Sequence, residues 1–486
     1  MLKKISIDPI TRLEGHGKID IFLNDQGDVA NAYLQVPELR GFEKFCEGRP
    51  AEELPRIVPR ICGVCPVSHH LASTKAVDGV WQVEPTPTAK KLRELMLSAH
   101  IVHSHTAHFY ALAAPDFVVG PDAKPEERNI LGVVAKVGLE AGKEVIKNRG
   151  YAQSIQAILG GKATHQVNGL PGGVSKGLTE EERKEIEEKA ISIVEFAKFS
   201  LKLFEDIVLK NKAYVDLILG DVYKINTYFM GMVDEQNRAT FYDGKVRVVD
   251  PEGKEYAKFA PADYLDYVAE QVEPWTYLKF PYLKKMGWSG MKEGVGGGIY
   301  RVGPLARLNV SDGMATPLAQ EAYEKFFATL GGKPVQATLA YHWARLIELI
   351  YNAERLLELA RDEEITGPDI RRIPDKTPSE GVGIVEAPRG TLIHHYRTDE
   401  QGLVQKVNLI VSTGHNNSAM NMSVKRAAQG LIKKGKVNQG LLNMVEMAFR
   451  AYDPCLACAT HSLPGQMPLE IRIFDEEGQL CHSLRQ

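Results

Sequence analysis

The chain has little cysteine for its length, and it lacks both long apolar runs and an excess of charge of either sign. Only six of its 486 residues are cysteine, too few for the disulfide scaffolds that hold small secreted domains together. Its 59 lysines and arginines nearly balance 62 aspartates and glutamates, which excludes the concentrated basic surface that nucleic-acid binding requires. We find no run of about 18 uncharged apolar residues and no secretory signal, so we expect a soluble, cytoplasmic protein without a membrane span.

Hydrophobic periodicity predicts a mainly helical chain. Helical spacing covers residues 89–113, residues 335–361 and a charged stretch that runs from the capping-box pair Thr179 and Glu182 to about residue 212. Strand-like alternation covers residues 3–36 and the chain after about residue 380, while the glycine-rich residues 286–314 read as loop. The predicted fold is mainly α with small α+β portions: one large domain built around a long helix bundle, with short β-sheets at its edges.

Two Cys-x-x-Cys pairs lie near opposite ends of the chain. The first joins Cys62 and Cys65, and the second joins Cys455 and Cys458. Two intervening residues let both thiolates of a pair face one point. Four thiolates form a soft ligand set that suits zinc, an iron–sulfur cluster or a redox metal such as nickel.

The number of residues between the two pairs favours some of these metals over others. Zinc ribbons usually place their two pairs about 15–20 residues apart, whereas 389 residues lie between these two. A redox metal site is therefore favoured, with a structural zinc and two separate dithiol sites as alternatives. Cys46 is most simply a structural residue, and Cys481 has no assigned role.

The sequence around these pairs resembles the large subunit of nickel–iron hydrogenases along essentially the whole chain. The segments that carry the resemblance are IDPITRLEGH (7–16), RGFEKF (40–45), RICGVCPVSHH (60–70), NGLPGGV (168–174), RVGPLARL (301–308), EAPRG (386–390) and DPCLACATH (453–461). The sequences of these segments are similar to those of the cytoplasmic branch of the family. The resemblance implies the same large, mainly helical catalytic domain.

The resemblance also implies a metal centre. Nickel would be held by Cys62, Cys65, Cys455 and Cys458. Cys65 and Cys458 would bridge to an iron that carries two cyanides and one carbon monoxide, leaving Cys62 and Cys455 terminal. A separate structural magnesium or iron ion would bind near the C-terminal motif.

Other residues that match family positions are assigned roles by the same resemblance. Glu43 and His461 would hold the structural ion. Thr413 would donate a hydrogen bond to a cyanide, and His69 would hydrogen-bond to a bridging sulfur.

The expected catalytic residues surround the open face of the metals. Arg389 would extend its guanidinium over that face, held there by Asp116 and Asp453. Cys455 would take the proton released when dihydrogen is split unevenly, and Glu14 would relay that proton outward.

The implied activity is reversible heterolytic cleavage of H2 by the catalytic subunit. Electrons would pass to an iron–sulfur small subunit and then, through further subunits, to NAD(P), ferredoxin or a heterodisulfide. The alternatives are a catalytically silent scaffold, like the subunits of respiratory complexes that share this fold without the cysteines, and a zinc-stabilised binding module. Residues 1–461 would form the domain, and residues 462–486 a C-terminal extension like the peptide removed during maturation.

Overall fold

The computed structural model describes residues 3–461, 470–474 and 480–485. Its helices are α1 Phe42–Cys46, α2 Leu54–Ile57, α3 Pro66–Val80, α4 Pro87–Ala107, α5 Ile130–Val137, α6 Leu139–Gly160, α7 Glu180–Phe204, α8 Lys212–Leu219, α9 Tyr264–Tyr267, α10 Pro304–Val310, α11 Pro317–Leu330, α12 Tyr341–Arg361, α13 Ser412–His415, α14 Asn417–Leu431, α15 Gln439–Arg450 and α16 Leu456–Ala459. Its strands are β1 Lys3–Ile7, β2 Lys18–Leu23, β3 Val29–Gln35, β4 Gly169–Leu170, β5 Gly173–Val174, β6 Tyr228–Val233, β7 Lys245–Val249, β8 Glu255–Phe259, β9 Val268–Gln271, β10 Phe280–Leu283, β11 Tyr300–Arg301, β12 Glu380–Ala387, β13 Gly390–Thr398, β14 Val404–Ile410, β15 Glu470–Phe474 and β16 Leu480–Arg485. Helix dominates and the strands form small separate sheets, which confirms the predicted fold class.

Long helices packed on one another form the centre of the molecule. Helix α12 contacts both α4 and α7, and α4 also packs on α6. The predicted capping box opens α7: the Glu182 amide donates to Thr179 Oγ1 and the Thr179 amide donates to the Glu182 carboxylate. The N-terminal half of α12 is buried on all sides, as expected for a helix in the interior of a bundle.

A three-stranded antiparallel sheet, β12–β13–β14, packs against α3. The approach is close, since a Cβ added to Gly383 would lie 2.0 Å from the carbonyl oxygen of Ala72 in the helix. Ala387 of β12 pairs with Gly390 of β13. Only two residues therefore turn the chain between these strands, and Arg389 is one of them.

The N-terminal and C-terminal parts of the domain run side by side. After β1, the chain passes the C-terminal motif before it returns through β2 and β3. Glu14 forms an isolated parallel bridge with Cys455, and the Leu456 amide donates to the Glu14 carbonyl at 3.0 Å. A second contact joins the Gly435 amide to the Gly27 carbonyl at 2.7 Å. The fold thus brings together cysteine pairs that are far apart in sequence.

The structure differs from the sequence-based expectations in three places. Residues 304–310 form α10 rather than loop, with Pro304 in the first turn and every residue buried, so packing stabilises a helix that has no amphipathic pattern. Residues 228–283 contain strands β6–β10, for which the sequence gives no expectation. Helix α12 starts at Tyr341, after a 3₁₀ turn at Thr338–Ala340, and therefore later than residue 335.

The predicted C-terminal extension is described only through β15 and β16, which pair with each other in antiparallel register. Its remaining residues, 462–469, 475–479 and 486, lie outside the described part of the chain. Within the described part, no helix combines the length and apolar character needed to cross a bilayer.

Candidate metal centre

The four cysteines of the two pairs converge at one point. Cys62 ends the turn before α3, and Cys65 is the N-cap residue of that helix. Cys455 precedes α16 and Cys458 lies within it. All four are buried, and their sulfur atoms lie within 4.8 Å of one another. The sulfur–sulfur distances are 3.2 Å for Cys62 and Cys455, 3.0 Å for Cys65 and Cys458, and 3.0 Å for Cys455 and Cys458.

The electrostatics of this cluster fit a metal cation. Hydrogen bonds from the neighbouring thiols lower the pKa of Cys62, whereas burial raises the pKa values of Cys455 and Cys458. Four buried sulfurs this close cannot all be thiolates unless a positive charge lies among them. A bound metal supplies that charge and deprotonates its thiol ligands, so the donor set fits the nickel–iron centre that the sequence implies.

Arg389 lies beside the cluster, lining the same small cavity as Cys65, Cys455 and Cys458. Its Nε donates to the Asp453 carbonyl at 2.6 Å, and Nη2 donates to Asp453 Oδ1 at 3.0 Å. Its Nη1 is buried and has no hydrogen-bond partner among the described residues. Burial acts to lower the pKa of Arg389, but the charges of Asp453 and the cysteines outweigh it and raise that pKa, so the side chain stays cationic.

Asp116 does not hold Arg389, contrary to the sequence-based expectation. Its Oδ1 accepts from Arg12 Nη2 at 2.6 Å and its Oδ2 accepts from Arg450 Nη1 at 2.6 Å. Burial acts to raise the pKa of Asp116, but the charges of Arg450 and Arg12 outweigh it and lower that pKa. Both carboxylate oxygens are therefore engaged by other cations, and among the described residues the hydrogen bonds of the Arg389 guanidinium go to Asp453.

Glu14 reaches the cluster from the N-terminal segment. The Cys455 thiol donates to Glu14 Oε2 at 2.9 Å, and the Ala457 amide donates to the same oxygen at 3.1 Å. Burial, reinforced by the charge of Cys62, raises the pKa of Glu14. The side chain is half-buried, so it connects the buried thiol with the edge of the domain.

Thr413 and His69 line the same cavity as the sulfurs. Thr413 Oγ1 accepts a hydrogen bond from the Cys455 amide at 3.0 Å. His69 Nδ1 is paired with His394 Nε2 at 3.1 Å. The His69 Nε2 atom is buried without a partner, and no bond to a bridging sulfur is present among the described residues. Burial lowers the pKa of His69 to about 4, so the ring is neutral.

A second group of potential ligands lies beside the C-terminal motif. His461 Nε2 approaches the Leu409 carbonyl at 2.6 Å and Glu43 Oε1 at 3.7 Å. His461 Nδ1 approaches the Cys458 carbonyl at 2.8 Å, which links this group to the cysteine cluster. Burial raises the pKa of Glu270, with a further contribution from the nearby charge of Glu43. One imidazole and several oxygens form a donor set that accepts magnesium or iron.

Several charged residues that surround the site have no counterpart in the sequence-based expectations. Arg12 could have been noticed, because it lies in the same TRLEGH segment as Glu14. Arg450 and Glu270 carry no local signal, since each gains its role only from partners that are distant in sequence. The expected structural role of Cys46 is compatible with its environment: burial raises the pKa of this thiol to about 12.

Comparison with known proteins agrees with this geometry. The family profile described as nickel-dependent hydrogenase matches residues 40–129 and 143–461, and a profile described as HoxL-like matches residues 4–39.

Individual relatives cover nearly the whole chain. It is 53% identical over 485 residues to a protein of Archaeoglobus profundus named as an iron-sulfur subunit of the F420-non-reducing hydrogenase, covering 100% of both chains. It is 41% identical over 495 residues to the NAD-reducing hydrogenase HoxS subunit beta of Cupriavidus necator, covering 99% of each. A crystal structure of an NAD+-reducing NiFe hydrogenase in the H2-reduced state superposes with a TM-score of 0.88 at 40% identity, covering 94% of this chain and 99% of the other. The chain therefore belongs to the nickel-dependent hydrogenase family, and it is a catalytic large subunit that carries the nickel–iron site.

Proposed function

We propose that this hydrogenase cleaves H2 reversibly and heterolytically at the cysteine cluster, and that the chain's own side chains remove the proton. The observation that carries the proposal is the convergence of four buried sulfurs within 4.8 Å, with a carboxylate 2.9 Å from one of them. When bound, the nickel–iron centre, with two cyanides and one carbon monoxide on its iron, supplies the place where dihydrogen binds and is polarised. Cys62, Cys65, Cys455 and Cys458 would hold it.

Cys455 and Glu14 form the first step of the proton path. Cys455 receives the proton on Sγ and passes it to Glu14 Oε2, 2.9 Å away. The Ala457 amide fixes that oxygen from the other side at 3.1 Å. The raised pKa of Glu14, caused first by burial, brings the carboxylate closer to the working pH, where an acid–base group is most effective.

Arg389 acts as a fixed positive charge rather than as a base. Its raised pKa, to which Asp453 and the cysteines contribute against the effect of burial, keeps it protonated. The two hydrogen bonds to Asp453 leave Nη1 free in a site that is sheltered from water, where an oriented charge is most effective. Thr413 and His69 line the same cavity, and we assign them hydrogen bonds to a cyanide and to a bridging sulfur.

The group around His461 supports the C-terminal motif. Glu43, His461 and the Leu409 carbonyl would hold a structural magnesium or iron ion. Because His461 also contacts the Cys458 carbonyl, such an ion would fix the turn that presents the second cysteine pair.

Residues 462–486 fit a segment that is removed once the metal is in place. The family profile ends at residue 461, which coincides with the last residue of the second motif. Removal would leave His461 at the end of the mature domain, beside Glu43.

The electrons must leave through other chains. Four of the six cysteines are used by the nickel–iron site, so two remain and an iron–sulfur cluster of the usual four-cysteine kind is excluded. An iron–sulfur small subunit is the partner that this chemistry requires. We propose a cytoplasmic complex that passes electrons to NAD(P), ferredoxin or a heterodisulfide, and a relative named as an NAD-reducing hydrogenase supports the first of these acceptors.

Metal analysis of the purified complex tests the proposal. We expect stoichiometric nickel together with infrared bands of metal-bound cyanide and carbon monoxide, and hydrogen-dependent reduction of an artificial electron acceptor. Zinc without nickel would contradict it in favour of a zinc-stabilised module. A correctly assembled complex without either metal would favour the silent scaffold.

A further inference from the structure

A largely buried network of charges joins the N-terminal segment to α15. We call it the Asp116 network; its members are Thr11, Arg12, Asp116, Asn443, Glu446 and Arg450. Its two positive side chains (Arg12 and Arg450) and two negative side chains (Asp116 and Glu446) give the network no net charge. None of these residues touches the cysteines in the structure, and none has a role in the mechanism described above.

Arg12 makes three hydrogen bonds that span two distant parts of the chain. Its Nη1 donates to the Leu112 carbonyl at 2.9 Å. Its Nη2 donates to Asp116 Oδ1 at 2.6 Å and to Asn443 Oδ1 at 2.8 Å. Leu112 and Asp116 lie in consecutive π-helical turns, His108–Ala113 and Pro115–Val119, an irregularity that is frequent at functional sites.

Arg450 completes the network from the other side. Its Nη1 donates to Asp116 Oδ2 and its Nη2 donates to Glu446 Oε2, each at 2.6 Å. The Thr11 hydroxyl donates to the same Glu446 oxygen at 2.8 Å. Glu446 and Arg450 are one helical turn apart on α15, as is Asn443 from Glu446, so a single face of the helix receives the N-terminal segment.

The Asp116 network is close in sequence to the reacting groups. Arg12 is two residues before Glu14, and Arg450 is five residues before Cys455. The backbone on both sides of Glu14 is constrained: Arg12 has φ of +56°, Gly15 has φ of +86°, and a Cβ at Gly15 would lie 2.9 Å from the Ala457 amide nitrogen. A shift of Arg12 would therefore move the Glu14 carboxylate along the C-terminal loop.

We propose that Arg12 and Asp116 are positioning residues for proton transfer, because the Asp116 network sets the distance between Glu14 and Cys455. This inference rests on the proposed function of Glu14. It assigns Asp116 to the proton path through Arg12 and Arg450, instead of to the support of Arg389.

Two hydrogen isotope reactions separate positioning from general structural support. Conversion of para- to ortho-hydrogen requires only cleavage and recombination at the metal centre, whereas exchange of D2 with solvent protons also requires the proton path. We would measure both in the purified complex of Arg12→Gln, Arg12→Lys and Asn443→Ala, together with nickel content. Asn443→Ala keeps every charge of the network and provides a variant that folds if the arginine variants do not. Arg361→Gln, which removes an exposed arginine paired with Glu187, is the matched control.

We expect full nickel and retained para–ortho conversion in all variants. Exchange with solvent should fall in Arg12→Gln by about 10²-fold, the cost of a misplacement of about 1 Å, and by less in Arg12→Lys and Asn443→Ala. Proportional loss of both reactions would overturn the inference, as would unchanged exchange in the Arg12 variants when Glu14→Gln abolishes it. If Glu14→Gln itself exchanges normally, the proposed function of Glu14 fails instead, and the inference fails with it.

Discussion

The Cys455 thiol donates a hydrogen bond to Glu14 at 2.9 Å, although the two residues are 441 positions apart. No local motif creates this contact. It results from a parallel bridge between the N-terminal segment and the C-terminal loop, and it places a carboxylate where a proton leaving the metal ligands would first arrive.

Glu14→Gln should stop turnover while leaving the metals bound. The amide has a similar shape and still accepts the Ala457 hydrogen bond, but it cannot accept and release a proton. General acid–base groups contribute about 10²–10⁴-fold to rate, so we expect at least a hundredfold loss of H2 oxidation with unchanged nickel content. Full activity would remove Glu14 from the proton path. Glu47→Gln, at an exposed ion pair with Lys44, is the control and should behave as the wild type.

Arg389→Lys should lower kcat by orders of magnitude with the site assembled. A lysine retains the charge but cannot make both contacts to Asp453 and also direct a third donor into the cavity. Loss of one oriented donor of this kind costs about 10²–10³ in kcat. Infrared spectroscopy would confirm that cyanide and carbon monoxide remain bound. An unchanged kcat would refute the electrostatic role, and Arg397→Lys at the exposed end of β13 serves as control.

Asp116→Asn should destabilise the folded subunit at neutral pH. The substitution leaves Arg12 and Arg450 without their shared counter-charge, and breaking such a buried pair costs about 3–5 kcal/mol. Because the folded pKa of Asp116 lies below the ordinary value of 3.8, its stabilisation is fully present above that value and is lost as pH falls through the folded pKa.

Thermal unfolding of the purified complex measures this difference. The difference in unfolding temperature between the wild type and Asp116→Asn should be large near neutral pH and should become smaller only in strong acid. If the two proteins already unfold at the same temperature at mildly acidic pH, the pairing of Asp116 with two arginines is contradicted. Asp266→Asn, at an exposed position in α9, should leave stability unchanged at every pH.

Active enzyme should lack the last 25 residues of the sequence (486 minus 461). Intact-mass measurement of the large subunit, combined with nickel analysis, tests this proposal. We expect the nickel-containing form to end at His461 and any full-length form to be inactive. Nickel and activity in the full-length chain would contradict removal of the extension.

Much of the fold follows from local chemistry that the sequence displays. The capping box at Thr179 and the helical period of α12 are local signals, and the structure confirms both. Helix α10 was not predictable in this way, because all of its residues are buried. A helix that is covered on every side has no polar face, so its periodicity disappears.

The candidate site, too, was predictable only where the sequence carries a local signal. The spacing of the cysteine pairs pointed to a shared soft metal site, and the structure brings all four sulfurs together. The partner of Asp116 was not predictable, because three arginines at distant positions could compete for it. Only the folded geometry decides that Arg12 and Arg450 are the near ones.

The bridge between Glu14 and Cys455 also has a consequence for biosynthesis. A ribosome releases the first cysteine pair long before the second, and contacts between distant segments form late because closing a long loop costs entropy. The four-sulfur site can therefore exist only after nearly the whole chain has been made. Metal binding by all four sulfurs therefore requires that both cysteine pairs have reached their native positions.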